Sequence, residues 1–288
     1  MSGTFFVLAA TMALAFKGIF ASLVFQQGLG VSELVTLRFA ISLPCFVVIC
    51  LIGWKSRSHI KARHVPGLAA LSLLFLASTY ADAYAVKYLG AGLSRMILFL
   101  FPLFIMIFDA VKEKQWPSKR RIIVFVTAYV GIGIMILGKG IDVITTQMMI
   151  GIFCAMAAAI TYGSFLRLNQ HMLKEVRPQA VNAQVALVAT VFSLVFEGPN
   201  LDFGPLNEDA MIYMLLLAIV ATVIPFWLML EGMRRTGAAT AALIAMIGPA
   251  ITLAAAVIIL DEEFVAIQMV GFGLIMLAMG YLQGRKVS

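Results

Sequence analysis

Five ionisable residues stand inside long apolar stretches of this chain: Lys17, Arg38, Asp82, Arg95 and Asp109. A charge at the middle of a membrane-spanning helix costs roughly 2.5–3.5 kcal/mol on insertion scales, so such a group turns inward to pair or to line a path. Asp109 falls near a helix end, where water can solvate it, and a structural role suits it. The other four share one half of the membrane thickness. Asp82 can neutralise one cation, either Arg95 or Lys17, which leaves two positive charges. That surplus suits a small-molecule ligand carrying a carboxylate or another anionic group. The chemistry expected is binding, with no catalytic residues: no Walker-type loop, HExxH or Gly-x-Ser-x-Gly element occurs. No Cys or His falls at ligand spacing, so neither a metal nor a cofactor is expected.

The neighbours of these charges extend the candidate site. Arg95, Phe99, Pro102, Met106 and Asp109 recur at spacings of four, three, four and three, so they form one stripe of a helix. Ser78, Thr79 and Asp82 share a face of the preceding helix, while Tyr80 and Tyr84 point the other way. Substrate contact is assigned to Lys17, Ser78, Thr79, Asp82, Arg95, Phe99 and Tyr162. Pro102 and Pro249 each remove a backbone hydrogen bond and are the hinge candidates. Plainer readings stand beside these. Asp82 and Arg95 could form a fixed ion pair between two helices, Tyr162 could be a packing aromatic, and Arg38 sits near enough to the surface to snorkel as a structural residue. Lys17 is the deepest, about 12 Å from its span's end, against roughly 6–8 Å for the other three.

What must position these residues is a membrane. Of 288 residues 62% are hydrophobic and only 12% charged, with a mean hydropathy of +1.01; soluble domains carry roughly 25% charged residues. Spans of roughly 20 apolar residues read as ten, over 4–25, 34–53, 66–86, 90–110, 120–138, 148–168, 179–197, 210–231, 237–260 and 264–283. The first lacks the basic leader and short core of a signal peptide and reads as a retained helix. Cys45, Cys50 and Cys154 lie in apolar segments and read as packing residues. Assigning loops to alternate faces puts sixteen cations and three anions on the side of both termini, and two cations and nine anions on the other. Cationic loops stay cytoplasmic, so both termini are expected inside a cytoplasmic (inner) membrane. The net charge of +7 is then a topology signal, and nucleic acid is not an expected partner.

The two halves of the sequence resemble each other. Phe16-Lys17-Gly18 falls on Thr161-Tyr162-Gly163, and KYLGAGLSRMILFLFP from Lys87 falls on RRTGAATAALIAMIGP from Arg234. VGIGIMILG from Val130 falls on VGFGLIMLAMG from Val270. With five helices in each half, residues 1–143 and 144–288, the second copy is upside down, a recurrent plan of secondary transporters with substrate held between the repeats. The counterparts of Lys17, Arg38 and Arg95 are Tyr162, Ala183 and Ala242, so the buried charge belongs to the first half alone.

The Gly…Pro…acidic-end pattern of helices 4 and 9, closing on Glu113 and on Asp261-Glu262-Glu263, together with the Gly-rich helices 5 and 10, resembles the EamA family of the drug/metabolite transporter superfamily over essentially the whole chain. The resemblance implies an all-α integral membrane fold of ten transmembrane helices as two inverted five-helix repeats. It also implies a central cavity and export of amino acids or other small metabolites without ATP hydrolysis. Proton coupling through Asp82 and facilitated diffusion are both open, as is assembly as a monomer or a homodimer. An importer or a drug exporter of the same fold is the nearest rival. An intramembrane enzyme or sensor would need a reactive constellation or an output domain that the sequence lacks.

Overall fold

A computed structural model describes residues 3–52, 61–101, 103–105, 107–108, 122–123, 126–127, 129–131, 133–134, 145–172, 175–176, 178–236, 244–245 and 247–283. Among them the regular structure is entirely helical, with no strand. In chain order the helices are α1 (Gly3–Ala15), α2 (Lys17–Gln26), α3 (Val31–Ile52), α4 (Val65–Leu89) and α5 (Ala91–Leu98). They continue as α6 (Thr146–Met172), α7 (Pro178–Phe196), α8 (Glu208–Leu215), α9 (Ile224–Thr236), α10 (Gly248–Leu260) and α11 (Ala266–Gln283). A π-helical segment, Leu216–Val223, joins α8 to α9.

Among the described residues six stretches are long and apolar enough to cross a bilayer: Gly3–Gln26, Val31–Leu51, Ala62–Leu89, Thr146–Asn169, Gln179–Phe196 and Glu208–Met229. Three shorter apolar helices, Ala91–Ile105, Gly248–Leu260 and Ala266–Ala278, accompany them. The expected span at 120–138 falls largely outside the described residues, and so do Pro102, Met106, Asp109, Glu113 and Ala242. Large apolar side chains such as Phe153 (74% exposed) and Ile258 (78%) point outward. In water such a surface would drive aggregation; hydrocarbon accommodates it at no cost. The three cysteines are free and half-buried.

Packing between the halves is reciprocal. α4 lies along α6, α1 lies along α9, and α3 lies along α7. In the order of the expected spans, the third thus meets the sixth, the first meets the eighth, and the second meets the seventh. Small residues allow the close approach that helices in lipid depend on. A Cβ on Gly151 would stand 2.7 Å from Leu89 Cγ, and one on Gly232 would stand 2.5 Å from Val7 Cγ2. Between these pairs sits the largest apolar cluster, which includes Phe39, Leu68, Leu71, Phe75, Phe165 and Leu217.

Contacts between loops fall into two groups. At one end Ser32 donates to Glu197 (3.0 Å), the Asp202 N–H donates to Glu33 Oε1 (3.0 Å), and Asn207 Nδ2 donates to Gln27 Oε1 (2.9 Å). At the other end Arg63 and His64 meet Glu175 at 2.9 and 2.8 Å. The first group joins residues from loops of the acidic set, and the second joins residues from the basic set.

Candidate substrate site

The first span is interrupted for one residue at Phe16, which keeps a right-handed helical backbone (φ −76°, ψ −8°), and α2 continues from Lys17. At the break the Thr252 hydroxyl of α10 donates to the Ala15 carbonyl at 2.9 Å, supplying from another helix a partner for a backbone group at the helix end. Gly18 follows, and a Cβ there would stand 3.3 Å from the Ala91 Cβ. The absence of a side chain lets α2 close on α5 and brings Lys17 into line with Arg95. A long α4 carries Asp82 to the same level, on a buried face it shares with Ser78 and Thr79.

Asp82 does not choose between its two expected partners. Lys17 Nζ donates to Oδ2 at 3.0 Å, while Arg95 Nη2 donates to Oδ1. One carboxylate therefore bridges three elements, α2, α4 and α5. Asp82 and Arg95 retain 5% and 6% of their exposure, so the ion pairs lie deep in the protein.

Arg38 joins them. Near the surface end of α3, it had snorkelling open to it, yet it is 2% exposed and points inward. Its Nε–H donates to Thr222 Oγ1 at 3.0 Å, and the Thr222 hydroxyl donates in turn to the Leu217 carbonyl at 2.8 Å. Thr222 belongs to the π-helical segment, and its bond to a carbonyl five residues back fits the wider turn found there. No carboxylate lies within salt-bridge distance of Arg38 among the described residues. A buried guanidinium needs acceptors more than it needs lipid, and the hydroxyl across the interface supplies one.

Lys17, Arg38, Asp82 and Arg95 line one small cavity, with Thr79 beside them and Leu34, Val86 and Leu217 as apolar wall; its interior has room for about one water molecule. A second cavity is walled by Phe39, Phe46, Phe75, Phe165 and Phe226 and includes Asn182 and Thr222, the hydroxyl that Arg38 bonds. Formal charge in the first cavity is two positive, three cations against one carboxylate.

The remaining candidates divide. Thr79 lines the cavity, though its hydroxyl donates to the Phe75 carbonyl of its own helix (2.8 Å). Ser78 turns away, donating to the Ala158 carbonyl at 3.4 Å. Tyr162 packs edge-on against Phe101 (5.2 Å between centroids) and stacks with Phe165 at 6.1 Å, on the aromatic side and outside the ionic lining. Phe99 is half-buried at the turn that ends α5. Pro249 is buried in the first turn of α10, where a proline costs the helix no hydrogen bond; its partner Pro102 is outside the described residues. Tyr80 bonds Ser193 (3.2 Å) and Tyr84 is exposed.

One contact had no sequence signal beyond an acidic cluster. Glu262, just after α10, accepts from the Ala91 and Gly92 N–H groups that open α5, at 2.6 and 3.1 Å. A carboxylate there satisfies free donors and meets the positive end of the helix dipole. Gly90 has φ +83, and a Cβ on it would lie 2.5 Å from Glu262 Oε1, so the cradle requires glycine.

Apolar spans around a small buried, charged cavity define the class as a multi-pass α-helical membrane protein. Comparison with known proteins gives the family. The chain matches the EamA-like transporter family over residues 1–137 and 149–282 and belongs to that family. It is 27% identical to the "Uncharacterized transporter YcbK" of Bacillus subtilis (strain 168), covering 100% of this chain and 94% of that one. It is 23% identical to an "Uncharacterized transporter" of Archaeoglobus fulgidus, covering 97% and 98%. A solved crystal structure is similar over 97% of this chain and 95% of its own, with a TM-score of 0.66 at 14% identity, a likeness of fold.

Proposed function

We propose that the protein is a secondary transporter that works by alternating access and carries small organic metabolites bearing an anionic group, amino acids first among them, out of the cell. The observation that carries this reading is the cavity of Lys17, Arg38 and Arg95 against Asp82, lined by spans of the first half and closed by Leu217 of the second. A carboxylate supplies the charge the site lacks and accepts charge-assisted hydrogen bonds from such donors. Reciprocal packing of α4 with α6 and of α1 with α9 supports two inverted five-helix units, 1–143 and 144–288. Rocking of one unit against the other would then expose the cavity to each face in turn. The meeting of Arg63 and His64 with Glu175, and the excess of cations in the loops of that set, support a cytoplasmic location for both termini.

Asp82 has both oxygens occupied. A substrate carboxylate competing for Lys17 or Arg95 frees one of them, and a proton can then take the vacated place. Coupling of that kind predicts that Asp82→Asn abolishes any dependence of flux on a proton gradient.

The test of the main reading is purified protein in liposomes, screened by competition against a panel of amino acids, other carboxylates, neutral metabolites and organic cations. Flux confined to carboxylate-bearing solutes supports it. Flux confined to cations, or none with any solute, removes it.

A further inference from the structure

We propose, resting on the alternating-access reading, that the cavity changes sides only with an anion inside it, and that a chloride-sized inorganic anion occupies it on the return stroke. Transport is then an exchange. The argument is one of charge and room.

Three cations line the cavity, and Asp82 is the one carboxylate among its described lining residues. Asp82 spends one oxygen on Lys17 and the other on Arg95. Arg38 is 2% exposed, its Nε–H held by a neutral hydroxyl, with no carboxylate within salt-bridge distance among the described residues. Arg95 Nε, near Gly18, is buried with no acceptor. Two formal positive charges therefore stand uncompensated where there is room for about one water molecule.

When the cavity is open to either side, water and mobile ions balance that surplus. As it closes they leave, and two like charges pass into a medium where an unpaired charge is costly. A carboxylate substrate removes part of the penalty on its outward passage. An empty site has nothing to do so on the way back. A monatomic anion fits the need: it takes N–H donors from any direction, and the space suits one small sphere better than a planar group. Arg38 is accordingly the residue that sets exchange apart from simple release, because among the described residues it meets a hydroxyl and the Phe39 ring and no carboxylate within salt-bridge distance.

Vesicles containing the protein are loaded with radiolabelled chloride, with potassium and valinomycin clamping the membrane potential. They are diluted into chloride, into the carboxylate that scores best in the solute panel, or into a bulky sulfonate buffer. Chloride release is expected to be at least tenfold faster into the first two media than into sulfonate. Arg38→Gln, which lowers the surplus by one, should narrow that ratio to threefold or less, and Arg38→Lys should keep it. Equal release into all three media overturns the proposal. So does carboxylate flux that continues at an unchanged rate with sulfonate as the sole opposing anion; that result leaves the transporter reading standing, whereas no flux of any solute would remove both.

Discussion

Removing the charge of Asp82 while keeping its shape tests the site most directly. Asp82→Asn leaves Lys17, Arg38 and Arg95 facing one another in the buried cavity. At 3.0 Å and an effective dielectric constant near 20, the Lys17–Asp82 attraction alone is about 5.5 kcal/mol before desolvation is subtracted. Breaking a buried pair by removing one partner costs about 3–5 kcal/mol net. At about 2 °C per kcal/mol for a large chain, the apparent melting temperature in detergent should fall by roughly 6–10 °C. Asp82→Asn with Lys17→Met returns the formal charge to its original value and should recover about half of that loss. Thermal unfolding of the three proteins, followed by tryptophan fluorescence, reads the result. If Asp82→Asn melts within about 1 °C of the parent, the carboxylate is not the keystone of the cluster. If the double variant melts lower than the single one, charge balance is the wrong account.

Three further outcomes follow from other contacts. Thr222→Val keeps volume but strips Arg38 of its hydroxyl, a hydrogen bond to a charged group worth about 1.5–3 kcal/mol; it should lower both thermal stability and substrate affinity in the liposome assay, and Thr222→Ser should restore both. Glu262→Ala leaves the first N–H groups of α5 unmet and should cost about 1–2 kcal/mol, read as a melting temperature some 2–4 °C lower. Glu175 stands outside the spans, and the His64 hydrogen bond, then Arg63, hold its carboxyl below the usual 4.5. A depressed value means that this contact stabilises the folded protein above pH 4.5 and is lost as pH falls through the folded value. Glu175→Gln should therefore melt slightly lower at pH 7 and match the parent in strong acid.

The sequence made the charged cluster legible because lipid gives a buried charge few options. Once the spans are drawn, Lys17, Asp82 and Arg95 must face inward, and they do. Arg38 was ambiguous for a physical reason: four residues from a span end, a long side chain can reach either water or the interior, and the choice rests on Thr222, 184 positions away. The break at Phe16 carries no proline, and its hydroxyl partner Thr252 lies 237 positions along the chain. Nor does an apolar run such as Leu216–Val223 distinguish a π-helix from an α-helix. Glu262 could be read as acidic loop filler until the fold set it over α5. Ser78 lies on the same buried face as Thr79 and Asp82, but that face is wide enough for it to reach the Ala158 carbonyl instead of the cavity.

The interruption of the first span has a mechanical meaning. α1 packs chiefly along α9 and α2 chiefly on α8, while both also rest on α10 and on the π-helical segment, so the two pieces share part of their support and differ in their main neighbour. A continuous rod would force Lys17 to follow whatever α9 does. The irregularity at Phe16 supplies a joint, and the piece beyond it touches α4 and α5, which carry Asp82 and Arg95. Splinting that joint with a rigid helical segment should slow turnover while leaving solute affinity intact.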